Sequence, residues 1–211
     1  NQGDVLVGEA GAPFENDATP GNDVLIGGAG DDDDHGEGGD DIMVAGPGLE
    51  ANEGMLGFDW VTHRLDPQAA DADLTRLVGL PPDLDAIRDR FRLVEGLSGW
   101  NHNDILRGDS PTAEALVGHE LTNIGLISGL AGLLPVGATQ FTGGNIIIGG
   151  AGNDLIMGRG GNDIIDGDAW LNVQLRAPDV ANPGTFKLVD SMTQLRADVL
   201  AGSINPGDIT I

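Results

Sequence analysis

The sequence predicts an all-β fold, a parallel solenoid of short turns and short strands, and three observations carry that prediction. First, Gln140 to Asp166 divides into nine-residue units: Gln-Phe-Thr-Gly-Gly-Asn-Ile-Ile-Ile, Gly-Gly-Ala-Gly-Asn-Asp-Leu-Ile-Met and Gly-Arg-Gly-Gly-Asn-Asp-Ile-Ile-Asp. Glycines fall in register, an acid or amide stands at position six and an apolar residue at position eight; a fixed short period dictates architecture before any residue has a role. Second, five Phe, three Trp and no Tyr stand against 35 Gly in 211 residues, which argues against a sandwich or α/β core. Third, the formal net charge is −24, and a compact state so charged repels itself unless counter-ions bind. The chain wants cations.

Taken in order, Asp4 to Gly11 mirrors Asp23 to Gly30 at an offset of 19, two units plus one inserted residue. From Ala18 the frame holds for about four units, with Asp23, Asp32, Asp41 and a degenerate Glu50 at position six. Position eight is Leu25, Asp34, Met43 and Asn52, so two of the four depart from the apolar rule. The frame is expected to break at Gly54. Gly57 to His63 then reads as a strand by its aromatic and β-branched content. Asp66 to Leu80 is a polar insertion, and Asp83 to Leu93, with Leu84, Ile87, Phe91 and Val94 at helical spacing, reads as a short amphipathic helix.

One isolated unit returns at Gly99 to Arg107, with Asp104 and Leu106 in the acid and apolar places. Thr112 to Leu134 is a second insertion, expected to hold short helices loosened by glycines. After the main block, Gly167 to Asn172 reads as a last imperfect turn, Ser191 to Leu200 as a helix, and Asn205 to Asp208 as a turn before a final strand. The expected organisation is a repeat block over 1–53, an insertion over 54–98, the isolated unit at 99–107, a second insertion over 108–139, the main block at 140–175 and a C-terminal segment, 176–211. Beginning inside a repeat and ending mid-strand, the chain reads as a fragment of something longer.

Six residues of turn and three of strand let the chain coil with two units per 18-residue rung, so that parallel strands stack about 4.8 Å apart. Turn glycines let carbonyls point at a shared place with φ values that a Cβ resists. The position-six acid adds a carboxylate, and five or six hard oxygens without sulfur or imidazole suit Ca²⁺ better than Mg²⁺. The candidate ligands are the side chains of Asp23, Asp32, Asp41, Asp104, Asn145, Asp154 and Asp163, and the backbone at Gly28, Gly30, Gly39, Gly150, Gly152 and Gly161. Units 18 apart pair Asp23 with Asp41, Asp32 with Glu50, Asn145 with Asp163, and Asp154 with Asn172. Several calcium ions are expected.

Gly-Gly-x-Gly-x-Asp-x-apolar-x resembles the calcium-binding nonapeptide of RTX proteins, and Gly149 to Met157 matches it at every position. The phrases Gly57 to His63, Leu93 to Asp109 and Gly167 to Leu175 are similar to RTX regions of large secreted bacterial proteins, some of which carry an animal-type haem peroxidase domain. The resemblance implies a parallel β-roll, here interrupted by two insertions, that folds on calcium after type I secretion and works outside the cell or at its surface. Its expected partners are calcium and other domains of one large polypeptide.

Other chemistries fare worse. Ten basic residues among 34 acidic ones argue against nucleic acid and anionic membranes. Without cysteine there is no disulfide or thiolate site, and no run is long and apolar enough to span a bilayer. An EF-hand frame on Asp31 puts Ile42 where a bidentate Glu is required. His35, His63, His102 and His119 lack metal-ligand spacing, and no catalytic constellation or phosphate loop stands out. The segment is thus expected to be non-enzymatic, with a part in a haem peroxidase-type enzyme, an adhesin or a filament as the alternatives.

One feature goes beyond a bare roll. The residues flanking position eight should face outward, yet Val24, Ile26, Ile42, Val44, Ile146, Ile148, Leu155 and Met157 are apolar. Such a band marks an interface. It predicts either that the insertions cover it, through Ile87 and Phe91 in one and Leu126 and Leu130 in the other, or that other copies or domains do.

Overall fold

In a computed structural model the described residues are 5–8, 20–79 and 89–211. The chain divides into two compact units, Asn1–Leu171 and Asn172–Ile211. Among the described residues the first holds thirteen three-residue strands. In chain order these are β1 (Val5–Val7), β2 (Val24–Ile26), β3 (Asp33–His35), β4 (Ile42–Val44), β5 (Ala51–Glu53), β6 (Trp60–Thr62) and β7 (Asp71–Asp73). They continue as β8 (Arg90–Arg92), β9 (Gly96–Ser98), β10 (Ile105–Arg107), β11 (Ile146–Ile148), β12 (Leu155–Met157) and β13 (Ile164–Asp166). Every pairing among them is parallel, as a coil of short turns requires.

One wall of the roll is a six-stranded sheet in the order β13-β11-β9-β6-β4-β2. The opposite wall is made of β1-β3-β5-β8 and of β12-β10-β7. The parallel β-roll read from the sequence is therefore present. It also runs through the segments expected to interrupt it: β6 to β9 and the isolated unit's β10 all lie in the walls. The helix expected over Asp83 to Leu93 is corrected where it can be seen. Arg90–Arg92 is a strand, while 80–88 lie outside the described residues. Phe91 is an inward strand residue, and its spacing from Val94 reflects a turn to the next wall rather than a helical face. The offset-19 mirror is corrected too, since β1 stacks on β3 and not in the wall that holds β2.

With three-residue strands, only the middle side chain enters the roll. Leu25, Met43, Val61, Leu97 and Ile147 from one wall meet Ala72, Phe91 and Leu106 from the other, with Leu6 and Ile156 packed against them. Full burial of such side chains stabilises by roughly 1.5–3 kcal/mol each. They form a column one side chain wide, so turns must supply what a thicker core supplies elsewhere.

Part of the outer apolar band is also covered. Ile146 and Ile148 are buried and Val24, Ile26, Ile42 and Val44 half-buried, whereas Leu155 and Met157 are exposed. On the six-stranded wall Phe58 packs 5.5 Å from Trp60 and 6.1 Å, edge on, from Phe141, whose backbone bridges Leu121 in the second insertion. Trp60 lies over Gly96, its partner on β9; a Cβ there would stand inside the indole. Leu121 of the second insertion, bridged to Phe141, thus adds to the cover, and Leu130 is buried. Its expected helices are two 3-10 turns, Ile124–Leu126 and Leu130–Gly132. Phe91 supplies no outer cover, because it lies inside the roll. Ile87 and the Leu126 side chain lie outside what is described.

The second unit holds an antiparallel hairpin of β14 (Leu175–Pro178) and β15 (Phe186–Val189), with Thr210 bridging Arg176. The expected C-terminal helix appears as a 3-10 turn, Met192–Gln194, and α1 (Arg196–Leu200). No described helix is long and apolar enough to cross a membrane.

Candidate cation-binding turns

Immediately before every strand of the six-stranded wall stands a carboxylate or amide: Asp23, Asp41, Asp59, Glu95, Asn145 and Asp163. The side chains reach back along the axis. Asp23 donates its N–H to Asp41 Oδ1 (2.7 Å), Asp41 to Asp59 Oδ1 (2.9 Å), Asp59 to Glu95 Oε2 (3.0 Å), and Asn145 to Asp163 Oδ1 (2.9 Å). The opposite wall repeats this arrangement. The N–H of Glu50 reaches Asp89 Oδ1 (3.1 Å), that of Ala70 reaches Asp104 Oδ1 (2.8 Å), and that of Asp104 reaches Asp154 Oδ1 (2.9 Å).

Position five reaches the other way. Asn22 Oδ1 accepts from Asp40 N–H (2.7 Å), Asp31 from Leu49 (3.1 Å), Asp40 from Phe58 (3.0 Å) and Asn103 from Asn153 (2.9 Å). Consecutive rungs are therefore clasped in both directions by adjacent side chains.

Beside the first glycine of each unit, oxygens converge. A Cβ on Gly149 would stand 2.5 Å from Asp154 Oδ2 and 2.6 Å from the Gly167 carbonyl oxygen. On Gly36 the neighbours are Asp41 Oδ2 (2.6 Å) and the Gly54 carbonyl (2.9 Å). Gly54 meets Asp59 and the Leu93 carbonyl, Gly99 meets Asp104 and the Gly149 carbonyl, and Gly108 meets Asn145 and the Gly158 carbonyl, all at closer range. Only glycine lets a carboxylate of one unit and a carbonyl of another approach the same place. The six glycines expected as backbone ligands, Gly28, Gly30, Gly39, Gly150, Gly152 and Gly161, all have positive φ. The carbonyls of Gly28 and Gly30 point at Gly46 and Gly48 of the next rung, where a Cβ would collide.

Electrostatics sets the demand. Asp59 is fully buried and its Oδ2 has no hydrogen-bond partner. Burial, with Glu95 and Asp41 above and below, holds its carboxyl well above the usual range. Burial beside Asp89 pushes Glu50 up to about 10, and burial with Asp32 and Asp33 nearby pushes Asp34 up to about 7. Burial works against the Asp89 charge as well. The bond from His63 Nε2 (3.0 Å) and that from Glu50 outweigh it, so Asp89 lies below the usual range. Burial raises Glu95, and His119, whose Nδ1 lies 3.2 Å from Oε1, offsets part of that. An array of like charges with an orphaned buried oxygen and converging carbonyls fits a cation. Because the donors are carboxylate, amide and carbonyl oxygens, a hard ion of the calcium class fits best.

Among the sequence-predicted residues, Asp23 with Asp41 and Asn145 with Asp163 are joined directly, and Asp32 precedes β3 where Glu50 precedes β5 in register. Asp154 Oδ1 accepts the N–H of Asp104, 50 residues before it, and the Asn172 side chain bonds Gln174. The frame does not break at Gly54: Gly54, Gly57, Asp59 and Val61 keep positions one, four, six and eight, so Asp59 was legible. Glu95 and Asp89 were not, because they follow excursions of irregular length. Asp31 is exposed, and its Oδ1 accepts the Leu49 N–H.

The family model of the RTX calcium-binding nonapeptide repeat matches in four copies, over residues 17–48 and 140–169. No curated protein and no solved structure matches the chain. Gly54 to Thr62 and Gly99 to Arg107 lie outside the matched segments, although their acids stand in the same ladders.

Proposed function

Because the chain carries RTX calcium-binding nonapeptide repeats, we propose that it is a calcium-folded structural segment of a larger protein that works outside the cell. The observation that carries the reading is the Asp23–Asp41–Asp59–Glu95 ladder, a line of acids buried from Asp41 through Glu95. Without cations the line is self-repelling. With calcium between carboxylates and turn carbonyls, binding free energy becomes folding free energy.

Asp23, Asp32, Asp41, Asp59, Asp104, Asn145, Asp154 and Asp163 supply side-chain oxygens, and the turn glycines allow the carbonyls to approach. This chemistry separates two compartments. Where free calcium is scarce the chain stays open, and where it is millimolar the roll closes, which suits a polypeptide exported before it folds. The role is structural: the acids that could act as catalysts are committed to the ladders.

Circular dichroism of the chain in chelator and after calcium addition tests the reading. The expected result is a coil-like spectrum that converts to β structure on adding calcium, with magnesium much less effective. Full β content in chelator would overturn it.

A further inference from the structure

Inside the roll, the middle positions of β3 and β5 break the apolar column. Asp34 and Asn52 are cross-strand partners in register, flanked in the same wall by Leu6 on β1 and Phe91 on β8. Both are fully buried, and neither Asp34 Oδ1 and Oδ2 nor Asn52 Oδ1 and Nδ2 has a hydrogen-bond partner.

Four orphaned polar atoms on two adjacent side chains cannot be a neutral feature of a core one side chain wide. Each buried polar group left unmade costs about 1–3 kcal/mol, more when charged. Two leucines at these positions would have continued the column formed by Leu6 and Phe91. Three of the four atoms are oxygens, and the fourth belongs to an amide whose two ends are interchangeable by rotation.

We propose that Asp34 and Asn52 hold a cation within the roll, an all-oxygen interior site of the calcium class distinct from those in the turns. It is built on position eight, which faces the core, whereas the turn sites are built on position six. The charge that Asp34 brings inside is then neutralised where it sits, and the amide oxygen of Asn52 completes one side of the shell. The inference deepens the calcium reading and is separable from it.

The test counts calcium bound to the full chain by equilibrium dialysis, with urea unfolding in parallel. Asp34→Leu combined with Asn52→Leu is expected to bind one equivalent fewer than the unaltered chain while the remaining sites saturate normally. Asp34→Asn keeps size and one oxygen, so it guards against misfolding of the double variant. It is expected to weaken one site by on the order of tenfold or more, as loss of a ligand charge does. An unchanged calcium count in the leucine variant together with a higher unfolding midpoint would show a merely unfilled polar defect and overturn the inference. An unchanged isotherm for Asp34→Asn overturns it as well. No calcium bound by the unaltered chain would instead overturn the reading of the turns.

Discussion

Replacing Asp59 by Asn should change stability in opposite directions with and without calcium. Asp59 Oδ1 accepts the Asp41 N–H at 2.9 Å, and an amide oxygen preserves that bond. What changes is the charge and the atom at Oδ2, which is buried, unpartnered and set between Asp41 and Glu95. In chelator the substitution removes a like charge from the middle of the ladder, and relief of an unsatisfied buried charge is worth about 1–3 kcal/mol. In calcium it removes a ligand charge from one site. An ion present at 100 times its dissociation constant contributes about 2.7 kcal/mol, and most of that is lost if the site empties. Circular dichroism in chelator and urea unfolding in calcium measure the two changes. The expected result is more residual β structure in chelator and a lower midpoint in calcium. A shift of the same sign in both would refute the assignment of Asp59 as a cation ligand.

Acidification should partly replace calcium. Asp34, Glu50, Asp59 and Glu95 all have folded-state values raised above their ordinary ones, so the stability they contribute is complete below the unfolded value and is lost as pH rises through the folded one. His63 and His119 are raised also, and act with the same sign. In chelator, lowering the pH through about 7, where Asp34 titrates, should therefore raise the β content of the chain, and a fall would contradict the ladder electrostatics. Ile148→Asp should cost several kcal/mol, because it places a carboxylate in a covered position in register with Asp166. Met157→Asp, on the exposed side of β12, should cost under about 0.5 kcal/mol. Equal melting temperatures for the two variants would remove the evidence for a covered outer face.

The architecture was legible because glycine, acid and apolar residue recur in a fixed frame, which reports the shape of one turn. The partners of each turn were legible only where successive rungs are 18 residues apart. Elsewhere the separations are 34, 36, 39 and 50 residues, so Ala70 beneath Asp104, Glu95 above Asp59, and Asp104 beneath Asp154 cannot be found by counting. Phe91 was misread for a related reason. Its neighbours Leu84, Ile87 and Val94 imitate a helical stripe, but its place is decided by a strand that pairs with β5. Gly54 to Thr62 shows the opposite error, a unit with every defining position present but hidden by its aromatic content.

The two-way clasp at positions five and six has a consequence for how such a chain can vary. A rung displaced by one residue would face donors with the wrong neighbour on both sides, so each layer proofreads the next. Alignment then depends on local matching and not on the amount of chain between layers. The excursion between Glu95 and Asn145 is much longer than a plain rung, yet β11 still settles on β9 residue for residue. A scaffold of this kind can accept cargo at almost any corner, gaining or exchanging loops while its layers keep their count.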